Sequence, residues 1–562
     1  MVTDLVAETN DTDDEVADGA HGSRRPDRRL VASMLLAVNL PIVVATVRAL
    51  ARGWQPLGDN GILAVRSADV GTSNHPLLGS WTSASLVVGE NVNNPGPLYF
   101  DLIALPIRVL GPWVGLAVGV MLLNMAASSL AVVASRRISG DISMVAVAVA
   151  VLGLQFAMGS ELLFDVWQPN ALVLPFLAFL VIITVLSTGD LAMAPWVLGL
   201  GSVLVQTHMS HAVLVGVLST VAFVAGIHTA RRAEGPFAWR RPAVASAIVV
   251  VVAWCQPVIE QFTGRGEGNL SRIVAASSGG DNPIGWDRAS RLMVEIMARG
   301  PWFTRSAYDE AIPPTAPDAP LYAVVTMTTA VLVIVAATVA LVAGGVWAWR
   351  SGRRNLAVMN AVAGVSFATA YVALSRAPVN FIALAVHQMR WLWPIAAFVT
   401  ATWLATLVSV LPGHDVVRRR VMAGVAVAAV MLAVAIVPTH TSRAPGPTDS
   451  VDDLDRAQAL VAQLDALSGR GTVLYDPTVL WFAEPYSGLV FAEMQAQGIP
   501  FVFDDEVFIR QFGEGRRNDG SAELRLWQVM GTDAEVVPDG AERVALAGEG
   551  EDAVGLFVEP IR

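Results

Sequence analysis

Long apolar runs alternate with short polar segments over most of the chain. Because about 20 apolar residues are needed to cross a bilayer as a helix, we predict eleven spans, at 30–50, 112–134, 142–160, 171–187, 191–207, 212–229, 243–259, 321–349, 356–374, 390–411 and 421–437. After residue 450 the runs become short. They predict helices at 450–467, 483–497 and 506–513 and strands at 472–476, 499–504, 524–530 and 554–559. We therefore predict an α-helical polytopic membrane protein with a small C-terminal α/β domain.

The polarity of the chain divides it into four parts. Residues 1–29 hold 8 acids and 4 Arg without apolar periodicity, which indicates a disordered acidic tail. Residues 30–437 form the predicted transmembrane core, and 438–450 a linker rich in Pro, Ser and Thr. Residues 451–562 form the α/β domain, which contains no GxGxxG and no P-loop, so no nucleotide is assigned to it.

Composition excludes several classes of protein. Of the 562 residues 54% are hydrophobic and 15% are charged, whereas a soluble protein carries roughly 25% charged residues. The single cysteine, Cys255, excludes an intrachain disulfide and a cysteine-based metal site. The net charge is −11 and no broad basic region exists, so nucleic acid is not a predicted partner. All basic side chains are Arg, which is typical of a GC-rich bacterium.

Arginine clusters test the number of spans. They fall at 24–29, 136–137, 231–241, 350–354 and 418–420. With a cytoplasmic N-terminus, eleven spans place all five clusters in the cytoplasm, as the positive-inside rule requires. This predicts a multi-pass protein of the bacterial plasma membrane with an extracytoplasmic C-terminal domain. Within the outer loop 260–320, the pattern of 286–297 predicts an amphipathic helix on the membrane surface.

The outer loops carry the candidate chemistry, because charged groups near a bilayer are costly and tend to be functional. Asp59 follows the first span between Gly58 and Asn60, where an ordinary turn or helix cap is the alternative interpretation. Arg390 opens the tenth span beside two Trp, where interfacial anchoring is the alternative. The other charged or polar candidates in these loops are Arg66, Asp69, His75, Glu90, Glu161, Asp165, His208 and His211. The last two histidines alone are only half a zinc site. Satisfied interfacial histidines are the favoured interpretation, and a binding role for His208 is the alternative.

Several short motifs follow one another on the predicted outer side. They are Asp59 in GDN, His75-Pro76-Leu77, Asn94-Pro95-Gly96-Pro97-Leu98, Gln206–His211 (QTHMSH), Gln256–Glu260 (QPVIE) with Gly268-Asn269-Leu270, and Arg390–Pro394 (RWLWP). In order and sidedness, residues 30–437 resemble the GT-C superfamily of membrane glycosyltransferases. Many members carry two adjacent acids in the first loop, whereas here Asn60 follows Asp59. The second acid is Asp69 or Glu90, or it is absent.

The resemblance implies an inverting transfer of a sugar from a polyprenyl-phosphate donor to a cell-envelope glycan or glycolipid on the outer membrane face. It implies Asp59 as the general base, with Arg390 and Arg66 as contacts to the donor phosphate. Asp69, His75, Glu90 and His208 are the expected substrate-binding residues. No metal ligands and no cofactor are assigned, and a role for a divalent metal stays open.

Two other functions compete with this interpretation. A transporter or flippase of a lipid-linked glycan should show repeated halves and helices broken by Gly or Pro at corresponding positions, and the sequence shows neither. A non-catalytic envelope assembly protein would depend on the C-terminal domain alone. An acceptor-sugar assay on purified protein distinguishes the three.

Overall fold

The computed structural model of the chain describes residues 28–561 except 83–84, 86–88, 90, 235, 277–282, 300–324, 378–385, 412–414, 438–450 and 480–483. Most of the predicted acidic tail, the whole predicted linker and the candidate Glu90 therefore lie outside the described residues. The boundaries of the four predicted parts stay predictions.

All eleven predicted spans are helical in the described part of the chain. Among the described residues, nine helical segments are long and apolar enough to cross a membrane, and Leu191–Thr207 and Arg420–Ile436 are shorter apolar helices. The core helices and those in its outer loops are α1 (Arg28–Ala51), α2 (Asp59–Asp69), α3 (Leu98–Leu110), α4 (Pro112–Ser139), α5 (Asp141–Leu162), α6 (Val173–Ser187), α7 (Ala194–Thr207), α8 (Ala212–Arg232), α9 (Arg240–Thr263), α10 (Asn269–Ala276), α11 (Gly285–Val294), α12 (Met327–Arg350), α13 (Arg354–Arg376), α14 (Leu392–Val410) and α15 (Asp415–Ile436).

Helix α6 lies at the centre of the bundle. Every one of its residues is buried, and it packs against α4, α8 and α14. A helix that is hydrophobic on all sides is stable only where other helices or lipid surround it. Helices α9 and α12 instead expose most of their apolar side chains, as expected for helices that face lipid. The chain is a multi-pass membrane protein.

Two of the predicted arginine clusters, 136–137 and 350–354, lie at the same end of the bundle. Arg136 donates to Asp141 at 2.8 Å and Arg137 to Asp190 at 2.6 Å, while Asn355 donates to the Arg137 carbonyl at 3.5 Å. These contacts join three loops that the sequence assigned to the same side. The loops with the candidate motifs lie at the opposite end, which is the predicted outer end.

The outer loops contain more helix than the apolar pattern predicted. The first loop folds into α2 and α3, each too short to span a membrane. Helix α11 was predicted to lie on the membrane surface, but Ala289, Leu292 and Met293 are fully buried, and α11 packs against α12 and α13. Its apolar stripe is therefore covered by protein, with Trp286 left 49% exposed.

The C-terminal domain is a mixed five-stranded sheet with helices packed against it. Its elements are α16 (Val451–Val461), β1 (Thr472–Tyr475), α17 (Ser487–Ala496), β2 (Phe501–Phe503), α18 (Glu506–Phe512), β3 (Ala522–Met530), β4 (Glu542–Ala547) and β5 (Val554–Pro560). The strand order is β2-β1-β3-β5-β4, with β1 parallel to both β2 and β3, and β5 antiparallel to both β3 and β4. Phe491, Phe503 and Phe512 fill its core. Strand β4 was not predicted, and the other elements match the sequence pattern.

Candidate active site

Asp59 is the first residue of α2. Gly58 precedes it with a φ of +51°, a backbone conformation that only glycine adopts readily, and this lets the chain turn sharply into the helix. The positive end of the helix dipole favours an acidic group at this position. The Asp59 side chain is exposed to solvent. It therefore stands where a water-borne molecule can reach it, at the predicted outer end of the bundle.

Trp167 joins Asp59 to Arg390. The indole Nε1–H donates to Asp59 Oδ2 at 2.9 Å, and the guanidinium carbon of Arg390 lies 5.7 Å from the Trp167 ring centroid. Trp167 comes from the turn between α5 and α6, and Arg390 precedes α14 and is 3% exposed. A guanidinium over an indole face is held by a cation–π interaction. The predicted base, Asp59, and the predicted phosphate contact, Arg390, thus both contact Trp167.

Asp165 is a second acid in the same network. Its Oδ1 accepts from Asn60 Nδ2 at 2.8 Å and from the Trp167 backbone N–H at 3.2 Å, and its Oδ2 accepts from Asn170 Nδ2. The residue is 2% exposed. Both oxygens therefore already have donors, whereas Asp59 Oδ1 accepts no hydrogen bond from any residue that the structure describes. Asp165 is placed to orient Asn60 and Trp167 around Asp59.

The pKa values of both acids are shifted upward. Burial raises the pKa of Asp165 to about 6, although three hydrogen bonds and the charge of Arg390 oppose this shift. Although Asp59 is exposed at the surface, the dense protein around it removes part of the water that would solvate its charge, and this desolvation raises the pKa of Asp59, partly opposed by the hydrogen bond from Trp167. A carboxylate with a raised pKa is a stronger base than an ordinary aspartate. Perturbed acids clustered in this way are characteristic of functional sites.

Arg66 and Asp69 lie apart from this cluster, at the other end of α2. Arg66 Nη1 donates to Asp69 Oδ2 at 2.8 Å and to the Phe512 carbonyl at 2.5 Å, and Asp69 also pairs with Arg516. All these partners are protein groups, and two of them belong to the C-terminal domain. This placement gives no support to the predicted roles of Arg66 in phosphate binding and of Asp69 in substrate binding.

His75 belongs to a separate polar chain. Its Nδ1 accepts from the Gly71 N–H at 2.8 Å, so its Nε2 carries the proton and donates to Gln256 Oε1 at 3.0 Å. Gln256 Nε2 then donates to Asp101 Oδ2 at 2.8 Å, and burial raises the pKa of Asp101. The role of His75 in substrate binding stays a prediction.

His208 and His211 form a small aromatic cluster. Their ring centroids are 6.2 Å apart, and His208 Nδ1 lies 2.7 Å from Ser210 Oγ. Desolvation lowers the pKa of His208 to about 4, so the ring is neutral. Over the described residues, no three His, Cys, Asp or Glu side chains come close enough to hold a metal ion.

The remaining motifs pack on one another beneath the loops. Asn93 and Asn269 exchange two hydrogen bonds of 2.9 Å, and Glu260 Oε2 accepts from the Asn269 N–H at 2.9 Å. Gly96 lies so close to Gln206 that any side chain at position 96 would overlap Gln206 Oε1. These motif residues build the floor of the loops at this end of the bundle, and in the described part of the chain none of them hydrogen-bonds to the Asp59 side chain.

Sequence reasoning missed Trp167 and assigned Asp165 no role. Asp165 was recognised as an acid at the turn after the third span, but its link to Asp59 runs through Asn60 and Trp167. The only local signal was an acid two residues before a Trp in an outer turn. That pattern also fits an interfacial anchor.

Comparison with solved structures finds similarity to ArnT from Cupriavidus metallidurans. For ArnT bound to undecaprenyl phosphate, the identity is 12%, the TM-score is 0.49, and the match covers 94% of this chain and 97% of that chain. For ArnT in the apo state, the identity is 12%, the TM-score is 0.47, and the coverage is 94% and 98%. No family model matches the chain, and neither does any curated protein.

Proposed function

We propose that this protein is a membrane glycosyltransferase of the GT-C type. It moves a sugar from a polyprenyl-phosphate donor to a glycan or glycolipid acceptor of the cell envelope, on the outer membrane face. Asp59 is the general base and Arg390 the contact to the donor phosphate. The N-terminus is cytoplasmic and the C-terminal domain is extracytoplasmic.

One observation carries this proposal: Asp59 and Arg390 share Trp167 as a neighbour. The two residues were selected from sequence for complementary roles, and they come from segments at opposite ends of the membrane core. An exposed carboxylate and a buried guanidinium at the outer end of a lipid-embedded bundle suit a reaction between a water-borne hydroxyl and a lipid phosphate ester.

The chemistry assigns one role to each group. Asp59 Oδ1 takes the proton from the acceptor hydroxyl as that oxygen attacks the anomeric carbon of the donor sugar. The bond between the anomeric carbon and the phosphate oxygen breaks, and polyprenyl phosphate leaves with the electron pair. Arg390 stabilises the negative charge that grows on this phosphate. Attack from the face opposite the leaving group inverts the anomeric configuration.

Asp165 and Trp167 support the base in this scheme. Trp167 fixes the orientation of the Asp59 carboxylate through Oδ2 and leaves Oδ1 for the acceptor. Asp165 holds the Trp167 backbone and Asn60 in place. Neither residue needs to touch the sugar.

The decisive test is transfer by Asp59→Asn in purified protein, with polyprenyl-phosphate sugars as donors and envelope glycans as acceptors. Asn keeps the size of Asp and accepts the Trp167 bond but cannot take a proton at neutral pH. We expect kcat to fall by ~10²–10⁴-fold, with thermal stability and donor affinity near wild type. Asp452→Asn, a change in the first turn of α16, is the matched control.

Two results would contradict the proposal. If Asp59→Asn turned over at the wild-type rate, Asp59 would not be the base, and the proposed mechanism would be wrong. Lipid-linked glycan that crosses vesicle membranes without any transfer product would instead identify a flippase, the main competing function.

A further inference from the structure

Helix α2, which begins with Asp59, is held by the C-terminal domain at its first turn. The Gly58 N–H donates to the Pro485 carbonyl at 2.8 Å. Gly61 and Gly488 meet at backbone distance, so that a Cβ built on Gly488 would overlap the Gly58 carbonyl oxygen. Glycine is required at this crossing because no other residue lets α17 approach α2 so closely.

A buried ionic cluster holds the other end of α2. Arg516 donates through Nη2 to Asp69 Oδ1 at 2.9 Å and through Nη1 to Oδ2 at 2.5 Å, in a two-pronged contact. Gln495 Nε2 donates to Asp69 Oδ1 at 2.8 Å, and Arg66 bridges Asp69 to the Phe512 carbonyl. The side chains of Asp69, Arg66 and Arg516 are 2%, 7% and 6% exposed.

Such a cluster is poorly suited to stabilising the fold and well suited to fixing its geometry. The free-energy cost of removing three charged side chains from water offsets much of the free energy gained from their mutual attraction. The two-pronged arginine contact, however, permits only one orientation of the partner carboxylate. Together with the glycine crossing, it leaves α2 little freedom to slide or rotate against the C-terminal domain.

We infer that the C-terminal domain is a positioning element for the proposed base, with Asp69 and Arg516 as positioning residues. This inference rests on the proposed function. Because α2 is a single short helix, a shift at Asp69 moves Asp59 relative to Trp167, which belongs to the membrane core. A misplacement of about 1 Å in an active site can lower the rate by up to ~10²-fold.

The test uses two variants of the full-length protein and one control. Arg516→Lys keeps the positive charge but loses the two-pronged contact, and Gly488→Ala forces α17 away from Gly58. Arg525→Lys is the control, because Arg525 pairs with Asp476 and Glu559 within the C-terminal domain. Asp69→Asn is less suitable, since it leaves two buried guanidinium groups without their anion and threatens folding.

Hydrogen exchange measures the positioning without any assumption about function. We expect faster amide exchange in 59–69 for Arg516→Lys and Gly488→Ala, with β3 and β5 exchanging as in wild type. In transfer assays we expect kcat to fall roughly 10- to 100-fold, while KM for the lipid donor changes less than about threefold. The acid limb of the pH profile of kcat should also move to higher pH. The weakened hydrogen bond from Trp167 would no longer lower the pKa of Asp59. Arg525→Lys should behave as wild type in each measurement.

Three outcomes would overturn the inference: unchanged exchange in 59–69, faster exchange there with unchanged kcat, or faster exchange throughout the C-terminal domain. If wild-type protein transfers no sugar, the proposed function fails. The exchange of 59–69 alone then decides whether the domain holds α2.

Discussion

At the scale of single residues, the site separates two carboxylates by their surroundings. Asp165 is buried and gives both oxygens to protein donors, whereas Asp59 is exposed and keeps Oδ1 for another partner. Their pKa values are raised by the same cause, desolvation. Under the proposed function, this difference in environment gives two chemically identical side chains different roles: Asp59 would take the proton, and Asp165 would orient its neighbours.

Trp167→Phe tests the hydrogen bond to the base. Phe keeps an aromatic face for Arg390 but cannot donate to Asp59. Because that hydrogen bond favours the ionised carboxylate, its loss raises the pKa of Asp59 further. We expect kcat to fall by roughly 10- to 150-fold, as a hydrogen bond to a charged group is worth ~1.5–3 kcal/mol, with the acid limb of its pH profile at higher pH. Trp527→Phe, which affects a ring stacked on Phe557, is the control. An unchanged profile would show that Trp167 does not act on Asp59.

Asp165→Asn tests the second acid. As the pH falls through about 6, the Asp165 carboxyl binds a proton and loses acceptor capacity for the amides around it. Wild-type activity should therefore decline below about pH 6. The variant lacks this carboxyl, so we expect a lower kcat at every pH and loss of the inflection near 6, while the acid limb set by the Asp59 base remains. An inflection that persists in the variant, measured by steady-state kinetics from pH 4.5 to 8, would assign it to another group.

Part of this site was predictable from the sequence. Asp59 and Arg390 stand out because a charge beside an apolar run is costly wherever it occurs. The link of Asp165 and Trp167 to Asp59 could not be predicted, because it depends on contacts between loops that are distant in sequence. Arg66 and Asp69 carry the same kind of local signal as Asp59, and the sequence does not reveal that Asp69 pairs with Arg516 of the C-terminal domain.

At the scale of elements, the apolar pattern predicted the membrane helices well because bilayer thickness sets their length. Segments outside the bilayer lack that constraint. Helices α2 and α3 and strand β4 are short, and α11 covers its apolar stripe with neighbouring helices that a local pattern does not reveal. The outer motifs form a packed floor between these elements, with Gly96 at its tightest point.

Gly96→Ala tests that packing. The added methyl group would overlap Gln206 Oε1 and press on Pro257, so α7 and α9 must separate at their outer ends. Overpacking of this kind costs roughly 1–3 kcal/mol, and we expect a measurable fall in the melting temperature of detergent-solubilised protein. Gly364→Ala in α13 is the control, since nothing lies within 4 Å of its added methyl group. Equal melting temperatures for the two variants would mean that the floor tolerates expansion.

At the scale of the whole molecule, the two ends of the bundle differ in chemistry. One end joins Arg136 and Arg137 to acids in neighbouring loops, and the other carries Asp59, Trp167 and the C-terminal domain. Such asymmetry fits a protein that performs its chemistry on one membrane face only. The contacts at each end show which loops lie together. The positive-inside rule then predicts which of the two ends faces the cytoplasm.

Cysteine labelling in whole cells tests this orientation. Cys255, the only cysteine of the chain, is first replaced by Ser, and single cysteines are then placed at Ser23 in the N-terminal tail or at the exposed Ser521 of the C-terminal domain. With an odd number of spans, an impermeant thiol reagent should label position 521 in intact cells. Position 23 should be labelled only after the membrane is permeabilised, which also serves as the control for thiol reactivity. Labelling at 23 in intact cells, or none at 521, would contradict this topology. Asp59 would then lie on the cytoplasmic side of the membrane, and the proposed lipid-linked donor would have to present its sugar on that side.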